Sequence, residues 1–275
     1  DLIADSLPFP GPFTYTGTGT YIIGSQDLAV IDPGPIDESH LEAILNATKN
    51  QKITHIIITH THNDHSPLSK LLKEKTGALI YSFDNKSINT GEENKFEEGY
   101  DKEFVYDVSI KDKDIIKGKD WTLEAIHTPG HTSNHLCYSL REEKILFSGD
   151  HVMGWSTTVI VPPDGDMEEY MQSLEKLLLR KEQYYLPTHG KMIKNPLGLV
   201  KKYITHRLER ENQIEKAIKS GKNKITDIVK IIYADVDTRL YPAASMSTLA
   251  HLKRMIKKGQ IKVDGSNLDG FYEIN

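Results

Sequence analysis

One cysteine, Cys137, stands among 275 residues, so no internal disulfide can form and a reducing compartment suits the chain. The sequence also lacks any run of about twenty apolar residues, the length a membrane-spanning helix requires. Its first residues, DLIADSLPFPGPF, have neither the basic stretch nor the apolar stretch of a secretory signal. The missing initiator Met leaves room for a removed leader or tag. From these absences we expect a cytoplasmic protein with no membrane partner. Internal repeats and low-complexity linkers are absent too, so the chain is read as folded throughout.

Hydrophobic residues make up 38% and charged residues 27%, with a net charge of −5, which is ordinary for a soluble protein. The net charge hides an asymmetry. Residues 201–275 carry 15 Lys and Arg against 9 Asp and Glu, while residues 1–200 carry 19 against 30. Opposite signs suggest two modules, at 1–200 and 201–275, with the basic one a surface for an anionic partner.

Along the first module, GTYIIG and LAVIDPG read as a strand pair, the second strand ending at the Asp32-Pro33-Gly34 turn. DESHLEAILNATKN places Leu41, Ile44 and Leu45 at helical spacing. KITHIIITH is a buried strand, and SPLSKLLKEKTG a helix with Ser66 as N-cap and Pro67 at its first position. ALIYSF follows as a strand. Residues 84–108 are polar and read as a long excursion beside the site described next. WTLEAIHTPG, HLCYSL and KILFSGD are three further strands, DMEEYMQSLEKLLLRKE an amphipathic helix, and YYLPTHG a last strand and loop. Cys137, inside the alternating HLCYSL, is expected in the core. Helices falling between groups of strands favour an α+β fold of two sheets covered by helices over a doubly wound sheet. From about residue 200 three helices, ended in turn by glycines such as Gly221 and Gly259, lead into a short hairpin. That is the layout of a winged helix.

Ligand-type side chains recur where strands end. The segment THTHNDHSP puts His60, His62, Asp64 and His65 directly after an apolar strand; His131 sits in TPGHTSNH, Asp150 in SGDH and His189 in PTHG. A buried imidazole or carboxylate must find a partner, and a metal ion satisfies several at once. His60 and His62, two apart on extended backbone, form with His131 a three-histidine set that leaves a tetrahedral zinc an open position. Asp64, His65 and His189 suit a second ion, and Asp150 is the natural bridge. Of the other histidines, His40, His55 and His251 are read as packing or solvated. His127 and His135 flank His131 as supports, and His151 follows Asp150 closely enough to touch the site.

HTHNDH, TPGHT, SGD and PTHG resemble the His-x-His-x-Asp-His, Gly-His, Gly-Asp and His motifs of the metallo-β-lactamase fold superfamily, over residues 15–190 or so. The resemblance implies a four-layer αββα sandwich and a dinuclear hydrolase holding two Zn2+, or another divalent transition metal, per chain. A metal-bridging hydroxide would attack, with Asp64 and Asp150 holding it in line. True β-lactamases of the superfamily lack the bridging aspartate that Asp150 matches, so lactam hydrolysis is expected to be promiscuous at most. Thioesterases of the glyoxalase II type and phosphodiesterases share the ligands. The C-terminal segment is similar to the winged-helix tail of short mitochondrial endoribonucleases and their bacterial relatives, a subfamily that also includes fungal polyketide thioesterases. Single-stranded RNA is therefore the expected substrate, with a small ester or thioester as the alternative and a homodimer contact as another use of the tail. His206 and Arg207, early in the long helix, are expected to contact phosphate, as are Lys253, Arg254, Lys257 and Lys258.

Overall fold

The computed structural model describes residues 2–7 as backbone, and residues 17–84 and 99–275. Most of the expected 84–108 excursion, residues 85–98, lies outside the described residues. A first sheet of six strands follows chain order: β1 (Leu2–Leu7), β2 (Thr18–Ile23), β3 (Asp27–Ile31), β4 (Lys52–Ile57), β5 (Leu79–Phe83) and β6 (Val108–Ile110). β1 to β3 are antiparallel neighbours, and β3 to β6 run parallel. Parallel neighbours need crossover connections; α1 (Glu38–Ala47) and α2 (Leu68–Thr76) provide two of them. The second sheet has five strands, with β7 (Ile115–Lys117), β8 (Thr122–His127), β9 (Leu136–Leu140) and β10 (Ile145–Gly149) forming a meander. β11 (Tyr184–Pro187) lies parallel to β10, reached through α3 (Met167–Leu178).

The side-chain alternation of strands decides the layers. In β4, Ile57 faces the space between the sheets while Ile56 faces the helices; in β9, Leu136 and Tyr138 face inward and Cys137 outward. Ile23, Ile31 and Ile57 therefore meet Leu123, Tyr138, Phe147 and Leu186 in the central core. Leu41, Ile44, Leu68 and Leu72 of α1 and α2 cover the outer face of the first sheet. α3 and the first half of α4 (Pro196–Lys219) cover the second, with Met171, Leu174, Val200 and Tyr203 against Leu146 and Tyr185. The result is an αββα sandwich. Burial on both faces explains why these strands read as continuous apolar runs. Cys137 is a fully buried core residue, its thiol pushed up to about 12 by burial, and is inert at neutral pH.

Asp37 and Asp166 cap α1 and α3 by accepting from backbone N–H groups of the first turn. Ser66 does not cap α2, contrary to the sequence reading. α2 begins at Leu68, so that Pro67, expected at the first helical position, is itself the N-cap residue, and the Ser66 hydroxyl donates instead to Asp101 at 2.9 Å. The three-residue strands β6 and β7 carry too few alternating positions to be read from sequence, and β1, six residues long, is not expected from it either.

Beyond α4 come α5 (Ile225–Ile232), α6 (Tyr241–Lys257) and the antiparallel pair β12 (Ile261–Asp264) and β13 (Phe271–Ile274). Gly221 (φ +85°) and Gly259 (φ +69°) follow α4 and α6 in the left-handed conformation that favours glycine. Both helices begin earlier than the residue pattern suggests, each with a proline in its first turn. Residue 200 falls inside α4. The first half of that helix packs on α3, and its later residues Ile214, Ala217 and Ile218 join the C-terminal core of Ile228, Leu252 and Tyr272. Among the described residues no helix is long and apolar enough to cross a membrane.

Arg254 differs from the sequence reading. Lys253, Lys257 and Lys258 are exposed, but Arg254 is buried among Ala250, His251 and Met255 on the inner face of α6. Its Nε donates to Glu168 of α3 at 2.7 Å and its Nη1 to the Glu211 carboxylate of α4 at 2.6 Å. It ties three helices together, and its guanidinium is committed to the two carboxylates. Removing one partner of a buried pair strands the other charge, at a cost of about 3–5 kcal/mol. Arg254→Ala should lower the urea-unfolding free energy by about that amount, whereas the paired change Arg254→Met with Glu211→Leu should recover most of it.

Candidate metal centre

Four loops meet at one end of the sandwich: those after β4, β8, β10 and β11. The parallel register of β10 and β11 pairs Gly149 with Pro187, which brings Asp150 alongside the Thr188-His189 turn. The β8–β9 loop carrying His131 is drawn to the end of β4 by a 2.8 Å bond from Leu136 N to the Thr59 carbonyl. Gly149 is required where it stands. Its φ is +51°, and a Cβ there would lie 2.5 Å from Nε2 of His135. His135 accepts the Asp150 N–H at 3.2 Å through that nitrogen, so the glycine admits the ring that holds the Asp150 backbone.

His60, His62 and His131 turn one nitrogen each toward a common point. His60 Nε2 lies 3.0 Å from His62 Nδ1, which lies 3.2 Å from His131 Nε2. Those separations approach the edge of about 3.3 Å expected of a tetrahedron around zinc with Zn–N bonds of 2.0–2.1 Å. Burial, reinforced by the neighbouring imidazoles, holds His60 and His62 well below the ordinary histidine value, and burial lowers His131. All three rings are thus neutral at pH 7, the form that binds a metal.

A second group contains Asp64, His65 and His189, with ligand atoms within 4.8 Å of one another. His189 Nε2 lies 3.1 Å from Asp64 Oδ2 and 3.4 Å from Asp150 Oδ1, and His65 Nε2 lies 3.6 Å from each of the same carboxylates. The other oxygen of Asp150 faces the first group, 3.8 Å from His131 Nε2. Burial opposes ionisation of both aspartates, but the adjoining His65 and His189 outweigh it and hold both carboxyls below their usual range. Burial likewise disfavours charge on these two rings, yet the carboxylates raise His65 well above its ordinary value and His189 to about 10. A divalent cation held there would displace those protons, because a metal takes the neutral imidazole and the ionised carboxylate.

The fit to metal ions is also seen in what lacks a partner. His62 Nε2, Asp64 Oδ1, His65 Nε2 and Asp150 Oδ1 are buried with no hydrogen bond. Leaving such groups unpaired is costly, and a cation between His65 Nε2 and Asp150 Oδ1, 3.6 Å apart, would satisfy both. His62 Nε2 points elsewhere, because its Nδ1 faces the other rings.

Partners behind the ligands fix their orientation. Asp32 Oδ2 lies 2.9 Å from His65 Nδ1, the Val159 carbonyl 2.7 Å from His131 Nδ1, and the Gly17 carbonyl 3.0 Å from His189 Nδ1. Each leaves Nε2 for the centre. The Tyr100 ring packs on His62 with centroids 4.7 Å apart, while its hydroxyl donates to Asp164. These residues escaped the sequence reading. In the sequence Asp32 reads as a turn residue, although an acid ending the apolar run LAVI is a usable signal. Backbone carbonyls carry no side-chain signature, and Tyr100 lies in a polar stretch without a pattern.

Of the other residues singled out, His151 is buried beyond Asp150 but packs on Tyr170, 4.8 Å between centroids, and burial pushes it down to about 3. It belongs to none of the ligand groups among the described residues. His127 stacks on Phe83 and sits away from the cluster. His206 is exposed on α4, whereas Arg207 is buried, with Nη2 donating to the Thr158 carbonyl at 2.6 Å. A separate groove of about 650 Å³, bounded by Ile36, Pro67, Leu71, Phe104 and Val105 along α2, is lined by none of the seven ligand-type residues.

Known proteins place this arrangement. The profile of the metallo-beta-lactamase superfamily matches residues 16–189, and that of the beta-lactamase associated winged helix domain matches residues 225–270. A beta-lactamase-like protein 2 homolog of Drosophila melanogaster is 33% identical over 96% of this chain and 90% of its own length. An atrochrysone carboxyl ACP thioesterase of Aspergillus fumigatus is 31% identical over 77% of this chain and 62% of its own. The crystal structure of a metallo-beta-lactamase family protein from Thermus thermophilus superposes with a TM-score of 0.81 at 18% identity, covering 100% of this chain and 98% of that one. With its ligand-type residues gathered at the open end of an αββα sandwich and a winged helix domain following, the chain belongs to the metallo-β-lactamase superfamily of metal-dependent hydrolases.

Proposed function

We propose that this protein is a dinuclear zinc hydrolase that cleaves phosphodiester bonds of single-stranded RNA. The observation that carries the hydrolase reading is Asp150, whose two oxygens face two separate groups of buried ligands. Two divalent cations bound there would polarise a substrate oxygen and lower the pKa of water to about 7. The chain itself supplies neutral imidazoles from His60, His62 and His131 and ionised carboxylates from Asp64 and Asp150. As acceptors, those carboxylates orient the attacking water. No serine or cysteine nucleophile is needed, and the buried thiol of Cys137 is unsuited to the part.

The RNA assignment rests on the C-terminal segment. Residues 1–200 hold all the ligand-type residues, and residues 201–275 bring the positive balance. Lys253 and Lys257 line a small cleft with Pro162 and Gly165. The same 162–167 segment includes Asp164, which holds Tyr100 against His62. Cations on α6 thus face the segment that supports Tyr100, and in this reading they meet the phosphate chain. His206 on the exposed face of α4 is a further contact in this reading. A second reading, thioester hydrolysis, is favoured by the similarity to the Aspergillus fumigatus thioesterase and by the acidic balance of residues 1–200.

Elemental analysis of the purified protein should find about two transition-metal ions per chain, and Asp150→Ala should retain about one. Activity with no bound metal would overturn the mechanism. Zinc-loaded protein offered single-stranded RNA, bis-p-nitrophenyl phosphate, an acyl thioester, a glutathione thioester and a cephalosporin should turn over the first two. Efficient thioester turnover with RNA left uncut would establish the second reading instead. Replacing Lys253, Lys257 and Lys258 by Gln should weaken RNA binding and lower its salt dependence, by about one in the slope of log K for each phosphate no longer neutralised. Hydrolysis of the small diester should hardly change.

A further inference from the structure

The segment from Asp150 to Val161 carries no helix or strand, yet it touches three of the ligand-type residues. It begins with Asp150 itself. The Gly154 N–H donates to the carbonyl of His189 at 3.2 Å, and the Val159 carbonyl lies 2.7 Å from Nδ1 of His131. A loop with this task must be held by something else, because its own backbone forms no ladder.

α4 holds it. Tyr203 and Arg207 are one turn apart, so they share a face of that helix, and both are buried. The Tyr203 hydroxyl lies 2.7 Å from the carbonyl oxygens of both Met153 and Ser156, so its single proton is shared between them. Arg207 donates from Nη2 to the Thr158 carbonyl at 2.6 Å, with its guanidinium carbon 5.3 Å from the Tyr170 ring centroid. The next carbonyl along the chain is that of Val159, which meets His131. Two residues further, Val161 is anchored in the core shared by α5 and α6. Burying a guanidinium is expensive unless it is matched, and what meets this one is the Thr158 carbonyl and an aromatic face, with its Nε left unpaired.

We propose that Tyr203 and Arg207 are positioning residues for the metal centre. Through the carbonyls of Met153, Ser156 and Thr158 they set the Val159 carbonyl, and through it the tautomer and direction of the His131 ring. The helix that leads into the winged helix domain is thereby part of what makes the site competent to bind metal, independently of any RNA contact. Arg207 acts inside the protein, and the phosphate contact expected of it from sequence is replaced by this role. The inference rests on the metal reading given above but not on the choice of substrate.

Metal affinity, measured by chelator competition with Zn2+ and Co2+ on the full chain, tests it. Loss of a partner behind a metal ligand typically weakens binding about 10–100-fold. Arg207→Met should weaken the cation held by His60, His62 and His131 by about tenfold or more and alter the Co2+ absorption spectrum. Arg207→Lys should recover part of the loss, and Lys202→Ala on the exposed face should change nothing. In a His131→Ala background, Arg207→Met should have little further effect, which a general loss of stability would not reproduce. If Arg207→Met does not fold by circular dichroism, Tyr203→Phe, which removes only a hydroxyl, decides the matter in the same assay. Unchanged affinity in a folded variant, or an equal loss in the His131→Ala background, overturns the inference. A wild-type chain that binds no transition metal overturns the metal reading itself, and this inference with it.

Discussion

Asp32 carries a carboxylate with 1% exposure, and the loops of the candidate site are organised around satisfying it. Oδ1 accepts the Thr59 N–H at 2.8 Å. Oδ2 accepts the Thr59 hydroxyl at 2.6 Å and the Thr188 hydroxyl at 3.2 Å, and lies 2.9 Å from His65 Nδ1. A buried charge without such partners would cost several kcal/mol. Meeting that demand draws together the ends of β3, β4 and β11, which belong to different sheets. It also sets the face that His65 presents to the centre. The residue accepts a left-handed backbone, φ +48°, to reach this position. Aspartate tolerates that conformation better than most residues, and the bonds to its side chain hold it there.

The strand ends explain why the site lies where it does. Parallel strands end on the same side, so β3 with β4 in one sheet and β10 with β11 in the other each deliver consecutive loops to one edge. The antiparallel β8–β9 turn at that edge adds His131. Once the sheets pack face to face through Ile57, Tyr138, Phe147 and Leu186, the four loops have to meet. Their imidazoles and carboxylates are then too close and too buried to be left to water. Burial lowers the pKa of the first group of histidines, the carboxylates of Asp64 and Asp150 raise that of His65 and His189, and both groups are ones that could hold a metal ion.

The C-terminal part is more deeply joined to this arrangement than its opposite charge suggests. Its long helix packs on α3 at one end and belongs to the C-terminal core at the other, and Arg254 bonds to both α3 and α4. Val161, at the end of the loop that starts with Asp150, is buried in that same C-terminal core. A segment that looks like an appended module in its composition therefore shares walls with the site.

Sequence alone determined the elements whose signal is local. Apolar runs with β-branched residues marked the long strands, helical spacing marked the helices, and glycines marked the ends of α4 and α6. The seven ligand-type residues were legible because chemistry dictates their types, and because each follows an apolar run that has to end at a loop. Short strands escaped notice, since three residues hold too little alternation to be recognised. The partners behind the ligands escaped because a carbonyl such as that of Val159 or Gly17 has no letter of its own, and Asp32 is spelled like any turn aspartate. Arg207 and Arg254 read as surface cations, since a sequence records charge but not which face of a helix is covered. Only the tertiary structure decided those faces. Burial depends on which elements pack together, and that is settled by contacts between residues far apart in the chain.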